Sequence, residues 1–252
     1  MKALRFLVIQ HTAWEGPGRH LLDAARESRA ELVICRAWEE ALPNPDPFDG
    51  VINLGGPPNV DEEEQFPYLI PLKQLIRSWV AQRKPYLGFC LGHQLLAHVL
   101  KAEVGPQRRS VGFCEGELTA AGLAHPLFAG WPQKVRLFKW HGQGVRLPLP
   151  EGLALLAQSL ACPVEAFGLR GVPQVVGMQF DLHAANAADV AKWLAADREW
   201  LSRTGPNAEA VDAAAVIEEA REREAESGRL FGLLWKNFCE LVASRHGLVP
   251  AR

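Results

Sequence analysis

Apolar residues in the first hundred positions of the chain form short continuous runs separated by segments of helical periodicity. The runs cover residues 4–10, 31–35, 50–54 and 85–89. Helical spacing of apolar residues occurs over about 19–29, 69–83 and 91–100. Because a short continuous apolar run is typical of a strand buried on both faces, these runs predict the strands of a parallel sheet. Strands that alternate with helices predict an open sheet with helices on both of its faces.

The pattern is less regular beyond residue 100. Short strands are predicted at 112–118, 134–140, 153–158, 166–169 and 175–180, and a helix at 187–196. After a polar segment with Gly205 and Pro206, two further helices are predicted, at about 208–227 and 230–246. We therefore expect an α/β domain with a mixed, mainly parallel central sheet over 1–196. A C-terminal helical extension over 197–252 is expected to pack on that domain.

Composition excludes several classes of function. The chain has 252 residues with a formal net charge of −2, so no basic excess predicts binding to nucleic acid. No apolar run approaches the ~20 residues that span a bilayer, and the N-terminal residues are typical of a first strand and not of a signal peptide. The five cysteines are odd in number and widely spaced. We therefore expect no disulfide framework, no metal site and no cofactor, and a cytoplasmic location.

One segment carries a pattern typical of a nucleophile. Residues 88–92 read Gly-Phe-Cys-Leu-Gly and lie between a predicted strand and a predicted helix. A nucleophile on such a tight turn is held in a strained conformation, so its neighbours must be small. The start of the following helix favours the thiolate form of Cys90. In isolation the pattern is equally typical of a core cysteine near a turn.

Further motifs occur along the chain in a fixed order. Residues 84–97 read Lys-Pro-Tyr-Leu-Gly-Phe-Cys-Leu-Gly-His-Gln-Leu-Leu-Ala, and 55–57 read Gly-Gly-Pro. Residues 140–143 read Trp-His-Gly-Gln, 162–167 read Cys-Pro-Val-Glu-Ala-Phe, and 177–180 read Gly-Met-Gln-Phe. Over about residues 4–195 these motifs resemble class I glutamine amidotransferases, most of all the stand-alone branch similar to the amidotransferase domain of GMP synthase. The resemblance implies a flavodoxin-like layering of sheet and helices.

The resemblance also implies an activity. Cys90 is then the nucleophile that attacks a glutamine or γ-glutamyl amide and forms a γ-glutamyl thioester. Backbone N–H groups of Gly56 and Leu91 are expected to stabilise the oxyanion, and Gln94 and His141 are expected to contribute to substrate binding or support. Ammonia would pass to a partner protein, or the protein would act directly as a glutaminase or γ-glutamyl hydrolase.

The sequence departs from the family at the catalytic histidine. The family usually has Gln-Phe-His-x-Glu, whereas residues 179–183 read Gln-Phe-Asp-Leu-His. If this segment were a strand, Asp181 and His183 would lie on one side, ~6.5 Å apart along the chain. The carboxylate would then lie next to the sulfur and disfavour the thiolate. Gln143, where the family commonly has Asp, is a third difference.

Three hypotheses follow for this site. In the first, the backbone shifts so that His183 reaches Cys90 while Asp181 orients the imidazole or the substrate. In the second, His141 or, after it, His93 acts as the base. In the third, the chemistry is lost and the protein is a binding or regulatory protein. A cysteine peptidase-like hydrolase on a related fold is a weaker alternative.

Overall fold

A computed structural model describes residues 3–204 and 208–245 of the chain. The strands in these residues are β1 (Arg5–Gln10), β2 (Glu31–Arg36), β3 (Gly50–Asn53), β4 (Tyr86–Phe89), β5 (Val104–Leu118), β6 (Lys134–Val145), β7 (Leu153–Ser159), β8 (Ala166–Leu169) and β9 (Val172–Met178). The helices are α1 (Gly18–Ser28), α2 (Leu69–Ala81), α3 (Leu91–Val99), α4 (Ala120–Leu123), α5 (Ala187–Ala196), α6 (Arg198–Ser202) and α7 (Ala213–Arg245). Two 3-10 turns span Pro126–Phe128 and Leu182–Ala184.

The described strands form one sheet in the order β2-β1-β3-β4-β9-β8-β7-β5-β6. The first five strands in this order pair in parallel. The remaining pairs are antiparallel, and the pairing of β5 with β6 extends these two strands well beyond their predicted lengths. The predicted α/β fold with a central sheet flanked by helices is thereby confirmed. The carboxyl ends of β1, β3, β4 and β9 lie at one edge, where open sheets of this kind bind ligands.

Alternation along β1 shows how the parallel half is buried. Phe6 and Val8 belong to an apolar cluster on the face covered by α1, α5 and α7. Leu7 and Ile9 belong to a second cluster with residues of α2 and α3. Successive side chains of a strand point to opposite faces, so a run without polar residues is required where both faces are covered.

The C-terminal helix differs from the prediction. The sequence predicts two helices, at 208–227 and 230–246, but α7 runs without interruption over 33 residues. Gly228 does not end it, because packing of the apolar stripe around Phe231, Trp235 and Phe238 exceeds the ~1 kcal/mol that a helical glycine costs. Residues 205–207 and 246–252, part of the predicted extension, lie outside the described residues. Among the described helices, none is long and apolar enough to cross a membrane.

Candidate active site

Cys90 occupies the turn between β4 and α3 in a strained backbone conformation. Its φ of 41° and ψ of −104° place a non-glycine residue where φ is positive. The glycines on either side are required by close approach. A Cβ on Gly92 would lie 2.1 Å from the carbonyl oxygen of Asn53, and one on Gly88 would lie 2.6 Å from the backbone of Gly92. The strained turn predicted from the sequence is therefore present.

The thiol of Cys90 forms hydrogen bonds with two polar atoms, and a further amide orients one of them. Cys90 Sγ donates to the carbonyl oxygen of Trp140 at 3.6 Å. It also accepts from Gln179 Nε2 at 3.5 Å. The Gln179 side chain is itself oriented by Gln94, whose Nε2 donates to Gln179 Oε1 at 3.1 Å and to the Gln143 carbonyl at 3.1 Å. These side-chain amides fix the orientation of the sulfur, and the S–H group points at the carbonyl oxygen of Trp140.

The electrostatics oppose the low-pKa thiol expected from the sequence. Burial raises the pKa of Cys90 well above its usual value, and the carboxyl groups of Asp181 and Glu15 raise it further. The charge of Lys139 and a hydrogen bond from the backbone of Leu91 lower it by less. The start of α3 is therefore outweighed, and the resting thiol is neutral near pH 7.

Asp181 and His183 do not lie on one strand. β9 ends at Met178, and Leu182–Ala184 form a 3-10 turn, so the spacing rule for strands does not apply to them. Asp181 is fully buried, and its charge raises the pKa of Cys90. Among the described residues, neither of its carboxyl oxygens has a hydrogen-bond partner. Asp181 Oδ1 lies 4.0 Å from His183 Nδ1, so the two side chains are neighbours, although a 3-10 turn and not a strand brings them together.

His183 lies in an aromatic environment. Its ring centre is 4.7 Å from that of Phe89 and 6.3 Å from that of Trp193. Burial lowers its pKa to about 3, and within the described residues neither ring nitrogen forms a hydrogen bond. The structure does not connect His183 to Cys90 by a hydrogen bond. Its catalytic role stays a prediction without a contact to support it.

The two other candidate histidines are also buried. His141 follows Trp140 on β6 and lines the pocket described below, and burial together with the charge of Lys139 lowers its pKa well below the usual value. His93 on α3 packs against Phe167 with ring centres 5.0 Å apart, and burial lowers its pKa to about 3. No hydrogen bond joins either ring to Cys90 in the described part of the chain. Both rings are uncharged at neutral pH.

A pocket of about 510 Å³ opens above the thiol. Four predicted site residues line it: Gly56, Cys90, Gln94 and His141. Leu91 is the first residue of α3, so its N–H belongs to the first turn, where a helix has no acceptor of its own. Gly56 lines the pocket and the Leu91 backbone contacts the thiol, while their role as oxyanion donors stays a prediction.

Several residues of the pocket were not identified from the sequence. Trp14 and Glu15 come from the loop after β1, and Asp197 and Trp200 come from the segment after α5. The Trp140 indole donates to Asp197 Oδ2 at 2.9 Å, which orients one wall. These positions carry no motif, and only their place after a strand or a helix end could have indicated them.

Arg109 on β5 holds the outer wall of the pocket in place. Its guanidinium donates to the carbonyl oxygens of Trp200 at 2.8 Å and Arg203 at 2.7 Å, and to that of Glu209. It also lies over the Trp200 ring, 5.4 Å from the centroid. One arginine therefore provides hydrogen-bond donors for carbonyl groups at the end of α6 and for that of Glu209.

A buried ion pair lies beside the site. Lys139 Nζ donates to Glu165 Oε2, and both side chains are fully buried. Ser159 Oγ donates to the other carboxylate oxygen at 2.6 Å. Burial is the largest influence and would lower the pKa of Lys139, but the charge and hydrogen bond of Glu165 together with Cys162 and Cys114 outweigh it, so the pKa is raised and the amine stays charged. Among the described residues, no three His, Cys, Asp or Glu side chains are grouped to hold a metal ion.

Most of the chain is similar in sequence to known proteins. Residues 18–183 match the family model for glutamine amidotransferase class-I. A putative glutamine amidotransferase-like protein of Salmonella typhimurium, YfeJ, is 34% identical over 170 residues, which cover 64% of this chain and 68% of that protein. A subunit of the glutamine-hydrolysing GMP synthase of Pyrococcus furiosus is 31% identical over 161 residues, which cover 59% of this chain and 79% of that protein.

Solved structures agree with these matches. A glutamine amidotransferase from Thermotoga maritima superposes with a TM-score of 0.83 at 26% identity, covering 96% of this chain and 99% of that one. A glutamine amidotransferase from Methylobacillus flagellatus gives a TM-score of 0.83 at 26% identity, covering 95% and 96%. The likeness to both structures extends over nearly the whole chain.

Proposed function

Because the chain belongs to the class I glutamine amidotransferase family, we propose that it cleaves the side-chain amide of glutamine, or of a γ-glutamyl amide, through a thioester on Cys90. The observation that carries this proposal is the strained cysteine at the base of the pocket. Backbone strain at a non-glycine residue is costly and persists where the surrounding structure maintains it for function. The two flanking glycines maintain it here.

The pocket residues divide the proposed reaction among them. Cys90 attacks the amide carbon, and the N–H groups of Gly56 and Leu91 donate hydrogen bonds to the negatively charged oxygen that forms. Each such donor contributes about 3 kcal/mol to the transition state in comparable sites. Gln94 positions Gln179 and, through it, the sulfur. The amine leaves, and water then releases the acyl group from the thioester.

The released ammonia is proposed to pass to a second protein. The support comes from relatives in Pyrococcus furiosus and Thermococcus kodakarensis, whose names describe one of the subunits of a glutamine-hydrolysing GMP synthase. The C-terminal segment around α6 forms the outer wall of the pocket and is placed to meet such a partner. Without such a partner, the same chemistry would make the protein a glutaminase or a γ-glutamyl hydrolase that releases its products into solution.

Replacing Cys90 by alanine tests the proposed function. Because the thioester cannot form, we expect ammonia release from glutamine, or amine release from a γ-glutamyl amide, to fall by at least about 10³-fold. Mass spectrometry with an electrophilic glutamine analogue is expected to show one adduct, on Cys90. Cys114→Ala, in β5, is the matched control and is expected to keep the wild-type rate. Equal rates for Cys90→Ala and wild type would contradict the proposal.

A second candidate function is binding without turnover. It is favoured by one observation: the position beside the thiol holds the carboxyl group of Asp181, which raises the pKa of Cys90, and not an imidazole. In this case glutamine occupies the pocket and regulates a partner. The fold and the pocket are the same in both functions, and only the proton chemistry differs.

Asp181→His distinguishes the two functions. For a protein that binds without turnover, we expect calorimetry to detect saturable binding of glutamine to wild type while no ammonia is released. Asp181→His is then expected to create ammonia release, because an imidazole replaces a carboxyl near the sulfur. Asp23→His, on the exposed surface of α1, is the control and should leave the protein inactive. Turnover by wild type would exclude this second function.

A further inference from the structure

Glu15 is a buried acid that opens into the pocket. It follows β1, its side chain is 3% exposed, and it contributes to the pocket wall together with Cys90. Among the residues that the structure describes, no hydrogen bond or ion pair involves its carboxyl group. Buried carboxyl groups are normally paired or hydrogen-bonded, so an unpartnered one that faces a pocket indicates a ligand or a reaction at that place.

The carboxyl group of Glu15 lies next to the nucleophile. A Cβ added to Gly55 would lie 1.9 Å from Glu15 Oε1 and 3.1 Å from Cys90 Cβ. Both distances start from the same point, so these two atoms are no more than 5.0 Å apart. Gly55 is therefore glycine because the carboxyl group occupies the space of its side chain.

His141 lines the same pocket as Cys90, but burial and the charge of Lys139 lower its pKa well below the usual value, so it is a weak acceptor for the thiol proton. His183 lies among aromatic rings, and His93 packs on Phe167 away from the pocket. Asp181 influences the thiol electrostatically but is not part of the pocket wall. Glu15 combines both properties, because its Oε1 lies within 5.0 Å of Cys90 Cβ and its side chain lines the pocket above the thiol.

We propose that Glu15 is the proton-transfer residue of this site. The inference rests on the proposed amide hydrolysis. In the first half-reaction the Glu15 carboxylate takes the Cys90 thiol proton as the sulfur bonds to the amide carbon. It then gives that proton to the nitrogen as the carbon–nitrogen bond breaks. In the second half-reaction it takes a proton from water, whose oxygen attacks the thioester, and the proton returns to the departing sulfur.

The charges around Glu15 suit this transfer. Burial raises the pKa of Glu15 well above its usual value, and Asp181 and Asp197 raise it further. A carboxylate of raised pKa is a stronger base than an ordinary one, which eases removal of the thiol proton. The transfer moves one negative charge from oxygen to sulfur, so the buried site gains no extra charge. The charged groups that act on Glu15 or Cys90 are Asp181, Asp197 and Lys139, and Glu62, Glu199 and Arg203 also line the pocket.

Glu15→Gln tests the inference through two measurements, kcat/KM and the rate of Cys90 alkylation. If Glu15 transfers the proton, the substitution should lower the first and raise the second. Loss of the base is expected to lower kcat/KM for glutamine by about 10²-fold or more. In the wild type, kcat/KM should fall at low pH as the Glu15 carboxylate becomes protonated, and this acidic limb should lie at a higher pH than for an ordinary carboxyl group. In Glu15→Gln the acidic limb is expected to disappear. Loss of a neighbouring negative charge should at the same time lower the pKa of Cys90, so alkylation by iodoacetamide becomes faster at a given pH.

Two further variants complete the design. Glu15→Asp keeps the acid on a shorter chain and is expected to recover part of the rate. Glu219→Gln, an ion-paired acid of α7, is the matched control and should change neither measurement. An active wild type with Glu15→Gln within about threefold of its kcat/KM would overturn the inference alone. A wild type without ammonia release or Cys90 adduct overturns the proposed hydrolysis and the proton transfer together.

Discussion

Lys139→Met is expected to lower the free energy of unfolding by about 3–5 kcal/mol. The substitution keeps the length of the side chain but leaves the carboxylate of Glu165 fully buried beside an apolar group. The remaining donor from Ser159 does not replace a full charge. Urea denaturation followed by far-ultraviolet circular dichroism measures the change.

The double variant Lys139→Met with Glu165→Met distinguishes the cost of an unpaired buried carboxylate from the loss of the attraction between the two charges. Replacing both partners by apolar groups removes the uncompensated charge, so we expect stability near that of wild type. Lys236→Met breaks an exposed pair with Glu240 and should change stability by less than about 1 kcal/mol. A small loss for Lys139→Met, equal to that for Lys236→Met, would show that Glu165 becomes protonated or finds water.

Gly92→Ala is expected to destabilise the protein by about 3 kcal/mol or more and to displace the nucleophile. The new methyl would lie 2.1 Å from the backbone oxygen of Asn53. Asn53 ends β3 and pairs with Gly88 of β4, so neither strand can retreat without breaking the ladder. The start of α3 must therefore move, and the strained conformation of Cys90 moves with it.

Thermal unfolding and thiol alkylation measure the two parts of this prediction. A loss of about 3 kcal/mol in Gly92→Ala is expected to lower Tm by about 6–12 °C, using about 2–4 °C per kcal/mol for a chain of this size. Gly232→Ala is the matched control, because no atom lies within 4 Å of an added Cβ in that helix. It should raise stability by about 0.5–1 kcal/mol. A wild-type Tm for Gly92→Ala would show that the close approach is relieved easily.

The parallel half of the sheet was predictable because burial on both faces leaves a direct trace in the sequence. Leu7 and Val51 have to be apolar wherever helices cover both sides. The elbow at Cys90 was predictable for a similar reason, since its glycines are fixed by contact with backbone. In these places one local rule is sufficient to determine the structure.

The positions of Glu15 and His183 were not predictable from such rules. Glu15 comes close to Cys90 only because the ends of β1 and β4 meet across β3, which is a long-range consequence of strand order. The aromatic surroundings of His183 were not predictable, because strand geometry was assumed where the chain forms a 3-10 turn. The join of two predicted helices into α7 likewise depends on tertiary packing that a central glycine does not reveal.

The outer wall of the pocket, held by Arg109, can change in sequence independently of the sheet edge that carries Cys90. Trp200 and Arg203 line the pocket but lie beyond residues 18–183, the part that matches the family. Their position depends on a tether to β5 and not on the sheet edge that carries Cys90. Mutations in this segment can therefore alter which molecule is admitted while the nucleophile stays intact. Changes in the molecule that the pocket admits and changes in the proposed thiol chemistry would therefore arise in different parts of the chain.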